Sequence, residues 1–210
     1  EKKSTINTFG LYAKYNLAPF TFKGQIAGQS GKYGENDRTG VGGYFFVTRG
    51  FKSKFKPTLN AGYVYLSGND STTSKNEAWD PLFSRWPAFS DAYSEFYYLA
   101  YNTEGGCLGY WTNLSMPKFG LSLVPTKNTK LTLAYYYLMA NEAVSASVIP
   151  MSTNDTQEKN RGQLYTAKLD YTLNKNWSAF LQGEFFKPGD FYQSNRDDGV
   201  FLRTQVEMKF

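Results

Sequence analysis

A chain of 210 residues with 23 Lys+Arg, 18 Asp+Glu and no His carries a net charge of +5, spread too evenly to form the basic stripe of a nucleic-acid binder. Aromatic residues make up 18% of it, with 17 Tyr and 17 Phe, yet its mean hydropathy is −0.51 and no stretch approaches the roughly 18 consecutive apolar residues a membrane-crossing helix needs. The lone Cys107, set among Gly105, Gly106 and Gly109, rules out an intrachain disulfide; with no His, Ser–His catalysis and the common zinc sets are out of reach, so neither an enzyme nor a cofactor is expected.

Behind Lys2 and Lys3 there is no apolar core of about 7–15 residues, so the chain reads as mature or as beginning internally. Period-two alternation, which sends successive side chains to opposite faces of a strand, then recurs along the chain. Phe20, Phe22 and Ile26 alternate with Thr21, Lys23, Gln25 and Gln29; Leu131, Leu133, Tyr135, Tyr137 and Met139 with Thr132, Ala134 and Tyr136. Tyr165, Ala167, Leu169, Tyr171 and Leu173 alternate with Thr166, Lys168, Asp170 and Thr172; Trp177, Ala179, Leu181, Gly183 and Phe185 with Ser178, Gln182 and Glu184. At the end, Val200, Leu202, Thr204, Val206, Met208 and Phe210 alternate with Phe201, Arg203, Gln205, Glu207 and Lys209. A greasy face and a wet face on every segment, on a polar average, predict an all-β fold, an antiparallel transmembrane β-barrel. A closed barrel satisfies the backbone between strands, where lipid offers no partner.

Nine strands are expected, over 4–17, 20–30, 38–49, 56–67, 110–124, 130–141, 162–173, 176–187 and 199–210. Connections alternate in length. Short ones fall at 18–19, 50–55, 125–129 and 174–175; longer polar ones fall near 31–37, 68–109, 142–161 and 188–198, matching the short periplasmic turns and long outer loops of outer-membrane barrels. A final strand ending in the periplasm makes the first of nine begin outside, whereas such barrels have an even strand number. Residues 1–210 are therefore expected to be one partial barrel domain, the C-terminal part of a barrel of about 18 strands. Its remaining strands would come from an upstream segment or another chain. The run 95–101 is an alternative tenth strand; it is assigned to the long loop because spanning there would put 126–129 on the long-loop side.

Phe210, with Met208, Val206 and Leu202 before it, resembles the terminal signal that outer-membrane barrels present for assembly. Aromatic rings at Tyr12, Tyr15, Phe45, Tyr63, Tyr65, Trp111, Tyr137, Tyr171 and Trp177 are expected at the water–lipid boundaries. The wet faces supply the candidate pore lining: Lys14, Lys23, Gln25, Gln29, Lys118, Lys168, Asp170, Gln182, Glu184, Arg203, Gln205, Glu207 and Lys209. Two roles are open to these charges, ion selectivity and cross-strand pairing that holds the wall, as between Lys168 and Asp170 or Arg203 and Glu207. The spots Asn69-Asp70 and Asp197-Asp198 read as solvated turns, with calcium binding as the other option.

Residues 76–90 depart from this pattern. Trp79, Asp80, Phe83, Arg85 and Trp86, with two prolines, are too apolar for a tether, and a long loop of this kind is folded on itself or functional. It reads as a constriction or lid packed by its own side chains, or as an aromatic sugar platform with Asp80 and Arg85 at its edge. The run Trp79-Asp80-Pro81-Leu82-Phe83, then Arg85-Trp86-Pro87, then Tyr110-Trp111-Thr112-Asn113-Leu114, resembles the alginate-export family of outer-membrane porins, over about 45 residues. The resemblance implies an eighteen-stranded barrel with a basic lumen that conducts a polyanionic polysaccharide under loop control. It implies Arg85, Lys118 and Arg203 as contacts for an anionic chain.

The expected function is thus a channel in a bacterial outer membrane, in contact with its lipid, passing polar or anionic solutes and among them saccharides. A structural or adhesion barrel, with 68–109 as the contact surface in a larger envelope complex, is the alternative.

Overall fold

The computed structural model describes residues 4–84, 88–94, 103–104, 107–144, 158–192 and 196–210. Nine long strands form one antiparallel sheet: β1 (Ser4–Leu17), β2 (Phe20–Tyr33), β3 (Asn36–Gly50), β4 (Thr58–Leu66), β7 (Leu114–Thr126), β8 (Thr129–Met139), β9 (Asn160–Thr172), β10 (Trp177–Pro188) and β11 (Gly199–Met208). The order in the sheet follows the chain, from β1 at one edge to β11 at the other. The fold is all-β, an up-and-down antiparallel barrel wall. A separate pair, β5 (Thr103–Glu104) with β6 (Cys107–Leu108), lies in the β4–β7 connection.

The register sorts the wall into an outward and an inner ladder. The outward one includes the rows Leu11–Ile26–Gly43–Tyr65 across β1 to β4 and Leu131–Leu169–Leu181–Thr204 across β8 to β11. These outward positions hold most of the exposed large hydrophobics, including Leu169 at 40%, Leu181 at 44% and Val206 at 71% exposure. In a soluble sandwich these side chains would meet in a dry centre; here they form an exposed apolar surface.

Charges bound that surface. Arg49 stands on the outward ladder opposite Phe20, and Lys32 opposite Asp37 at the other end of the same strand pair. At about 3.4 Å per residue, Phe20 to Lys32 is roughly 40 Å along β2, and a tilt of about 40° projects this onto about 30 Å, the thickness of bilayer hydrocarbon. Phe210, just past β11, is fully exposed, and Val206 and Met208 face outward below it.

The packed core lies on the opposite, inner face. Leu66, Leu114, Met116, Tyr136, Leu138 and Leu164 project there from the strands, against Phe89, Tyr93, Tyr110, Phe191 and Tyr192 from the connections. The β4–β7 connection covers this face and defines it as inner.

Several expectations are corrected. The β2–β3 connection is not a longer loop over 31–37. Both strands extend until Tyr33 pairs with Asn36, and Gly34 turns the chain at φ 63, a conformation glycine adopts without steric cost. Strand β7 begins at Leu114 rather than 110, because Tyr110, Thr112 and Asn113 are buried in loop contacts. Tyr12 and Trp111 leave the expected aromatic belts: Tyr12 pairs with Gln25 on the inner side, and Trp111 packs against the inner core. The run 95–101 lies outside the described residues, but β4 pairs directly with β7, so the sheet holds no strand between them.

The two ladders predict opposite tolerances. Leu181→Arg is expected to destabilise the protein folded in lipid vesicles by about 2–4 kcal/mol, while Ser178→Arg, opposite Glu207 on the inner face, stays within about 1 kcal/mol. Denaturant titration of both variants checks this, and equal losses would mean that the faces do not differ in solvent.

Candidate functional site

The inner face carries every candidate lining residue, in rows fixed by the register. Lys14 pairs with Lys23, Lys23 with Phe46, Phe46 with Gly62, Gly62 with Lys118 and Lys118 with Tyr136. The next levels hold Lys168–Gln182–Arg203 and Asp170–Phe180–Gln205, with Glu207 opposite Ser178. Like charges directly opposite in a sheet are destabilising, so the Lys14/Lys23 pair is not explained by wall support. Among the described residues Lys14, Lys23 and Lys118 make no ion pair. Aromatic rings flank two of them instead: Lys23 Nζ lies 6.0 Å from the Tyr12 ring and 5.4 Å from Tyr44, and Lys118 Nζ lies 5.8 Å from Phe46 and 5.3 Å from Tyr136.

The other charges are paired. Lys168 meets Asp170 at 3.0 Å and sits over Phe180; Lys209 meets Glu207 at 3.4 Å. Arg203 does not pair with Glu207. It binds Asp91 of the β4–β7 connection at 2.7 Å and Gln205 at 2.8 Å.

The β4–β7 connection is fastened to the wall at three places. Near its start, Asp80 forms an ion pair with Arg38 at 3.4 Å, and Arg38 is 2% exposed. The Gln29 side chain donates to the Asp80 carbonyl at 2.7 Å and accepts its N–H at 2.8 Å. The Trp79 indole lies flat on the strand: a Cβ at Gly42 would come within 2.7 Å of it, so the glycine makes that approach possible.

Midway, Tyr110 Oη accepts the N–H groups of Phe89 at 3.0 Å and Ser90 at 3.3 Å and donates to the Ser90 carbonyl at 3.2 Å. Burial pushes its phenol well above the usual tyrosine range, so it stays a neutral donor and acceptor. The Phe89 ring stacks on Tyr110 at 4.6 Å. On the wall side, Glu184, 3% exposed, accepts from the Ser90 hydroxyl, from the Asp91 N–H at 3.0 Å and from the Ala92 N–H at 3.3 Å.

At its end, buried Arg161 donates to the carbonyls of Gly109 and Asn113 and lies over the Phe191 ring. Asn113, at φ 50, accepts the N–H groups of Asn141 and Glu142 and ties two connections together. Asparagine is among the few residues that tolerate this backbone region.

The connection and the wall line a half-open cavity of about 760 Å³, with Asn60, Lys118, Tyr136 and Lys168 on the wall side and Phe89, Ser90, Asp91 and Trp111 on the other. Cations beside aromatic faces in a wet space suit a polar or anionic solute.

Two candidate lining residues are corrected: Gln29 and Glu184 are buried under the connection and act as anchors. Trp79 and Asp80 pack on the wall, Phe83 is fully exposed, and Arg85 and Trp86 lie outside the described residues. Sequence reasoning missed Arg38 and Arg161; it quoted Ser90 only as the end of the segment 76–90, and Tyr110 and Asn113 only as parts of a motif. Asp70 turns on Thr72, whose hydroxyl and N–H hold its carboxyl below the usual range. No cluster of three metal-ligating side chains occurs among the described residues.

In comparisons with known proteins, a family profile described as alginate export matches residues 1–200. No curated protein matches the chain.

Tyr110→Phe is expected to strand two buried N–H donors, loosening the loop by about 1–3 kcal/mol. Protease cleavage within 67–113 of the folded protein should accelerate while the sheet stays resistant; an unchanged cleavage rate would remove Tyr110 from the fastening.

Proposed function

The chain belongs to the alginate-export family, an outer-membrane type, and on that premise we propose that it forms a channel passing polar or anionic solutes, acidic saccharides among them. The carrying observation is the row Lys14, Lys23 and Lys118, unpaired among the described residues and interleaved with aromatic rings on the inner face. Ammonium groups attract carboxylates, and ring faces cover the C–H surfaces of a sugar. The chemistry is positional: each ammonium within about 8 Å of a passing anion contributes roughly 0.5–2 kcal/mol, depending on local dielectric.

The apolar outward ladder supports this reading, because it turns the wet ladder toward a protected interior. The cargo crosses unchanged, and the remaining wall is supplied by further strands of the same protein or by another copy.

Planar bilayers with the full-length protein are the test. The channel should conduct and prefer chloride under a salt gradient, and acidic oligosaccharides should reduce its current. Lys14→Glu, Lys23→Glu and Lys118→Glu together should reverse the preference several-fold. A silent bilayer, or a selectivity indifferent to all three reversals, overturns the proposal.

A further inference from the structure

Glu184 stands midway along β10 on the inner face and is 3% exposed. A carboxyl group this buried is costly unless its oxygens are hydrogen-bonded. Besides Ser90, Asp91 and Ala92, it accepts Gln182 Nε2 at 2.6 Å. Ser90 in turn accepts the Tyr93 N–H at 2.9 Å, so the carboxylate and the serine close the turn 90–94 between them.

This places Asp91 where it meets Arg203 at 2.7 Å and Gln182 at 3.4 Å. An acid from the connection thereby neutralises a base of the wall. Lys118, on the same cavity, has no ion-pair partner among the described residues.

Resting on the channel reading above, we propose that Glu184 is the positioning residue that fixes the passage. Its carboxylate holds segment 89–92 inside the lumen, setting the aperture, and through Asp91 it removes Arg203 from the charges a solute meets. The ion pair of buried Arg38 with Asp80 before that segment and the Arg161 contacts after it make the constriction a fixed filter. It is not a swinging lid.

Full-length protein in planar bilayers separates the two effects. Glu184→Ala should raise unitary conductance roughly two-fold or more and increase chloride preference, since the segment is released and Arg203 freed. Asp91→Asn, which frees Arg203 while Glu184 still holds the segment, should increase chloride preference as Glu184→Ala does, with a clearly smaller rise in conductance. Glu184→Gln, which keeps an acceptor oxygen without the charge, should fall between wild type and alanine; it carries the comparison if the alanine variant does not assemble. A purely structural role for Glu184 would lower stability without this split between conductance and selectivity.

Wild-type conductance and selectivity in both Glu184 variants would overturn the proposal, as would voltage-driven opening of wild type to the conductance of Glu184→Ala. If wild type itself does not conduct, the channel reading fails separately. Limited proteolysis of the detergent-folded protein then reads the clamp alone: faster cleavage within 67–113 in Glu184→Ala, with Asp91→Asn unchanged, supports it, and equal rates refute it.

Discussion

In bilayer hydrocarbon each backbone N–H and C=O must find its partner inside the protein, and the architecture follows from that requirement. It selects long antiparallel strands paired in sequence order, β1 through β4 and then β7 through β11. Long pairing with side chains that alternate across the sheet divides the strand residues into an outward and an inward set. Since acyl chains already cover the outward set, burial cannot concentrate there. Dry packing is displaced to the inner face, where Leu66, Tyr136 and Leu164 meet Phe89 and Tyr110.

A loop packed inside a wet lumen needs more than apolar contact to stay there. Its segments bring polar backbone with them, and buried polar groups without partners are costly. The structure meets this need with a few buried side chains that each bond more than one backbone group. Glu184 takes up N–H groups of 91 and 92, Arg161 takes up carbonyls of 109 and 113, and Gln29 serves both the N–H and the carbonyl of Asp80. In the proposed channel, the same groups that stabilise the loop also decide which wall charges a solute meets, so stability and selectivity would share residues.

The nine strands were legible because each needed only a local signal, a period of two sustained over ten or more residues, and observed boundaries differ from the expected ones by a few residues. The assignment of faces was legible for the same reason: parity along a strand puts Lys168 and Arg203 on one side and Leu169 and Leu202 on the other. Long-range contacts were not legible. Nothing near Glu184 in the chain announces that Ser90, over ninety residues earlier, will sit on its carboxylate, so it looked like another lining acid. Arg38 and Arg161 carried no local signal for the same reason. The motif around Trp79 and Tyr110 was visible as a pattern, but its physical content, an indole against Gly42 and a phenol clamping Phe89 and Ser90, appears only when the loop is folded onto the sheet.

Family membership and geometry meet in one statement: hydrocarbon lies on one side of this sheet and water on the other. The most direct measurement is thiol accessibility along β10 in lipid, using single cysteines from 178 to 185 in a Cys107→Ser background. Positions 179, 181, 183 and 185 are predicted to be shielded from a charged, water-soluble reagent and open to a lipid-soluble one. The open inner positions 178, 180 and 182 should show the reverse. Reactivity without a two-residue period, or with the two sets exchanged, would contradict the account.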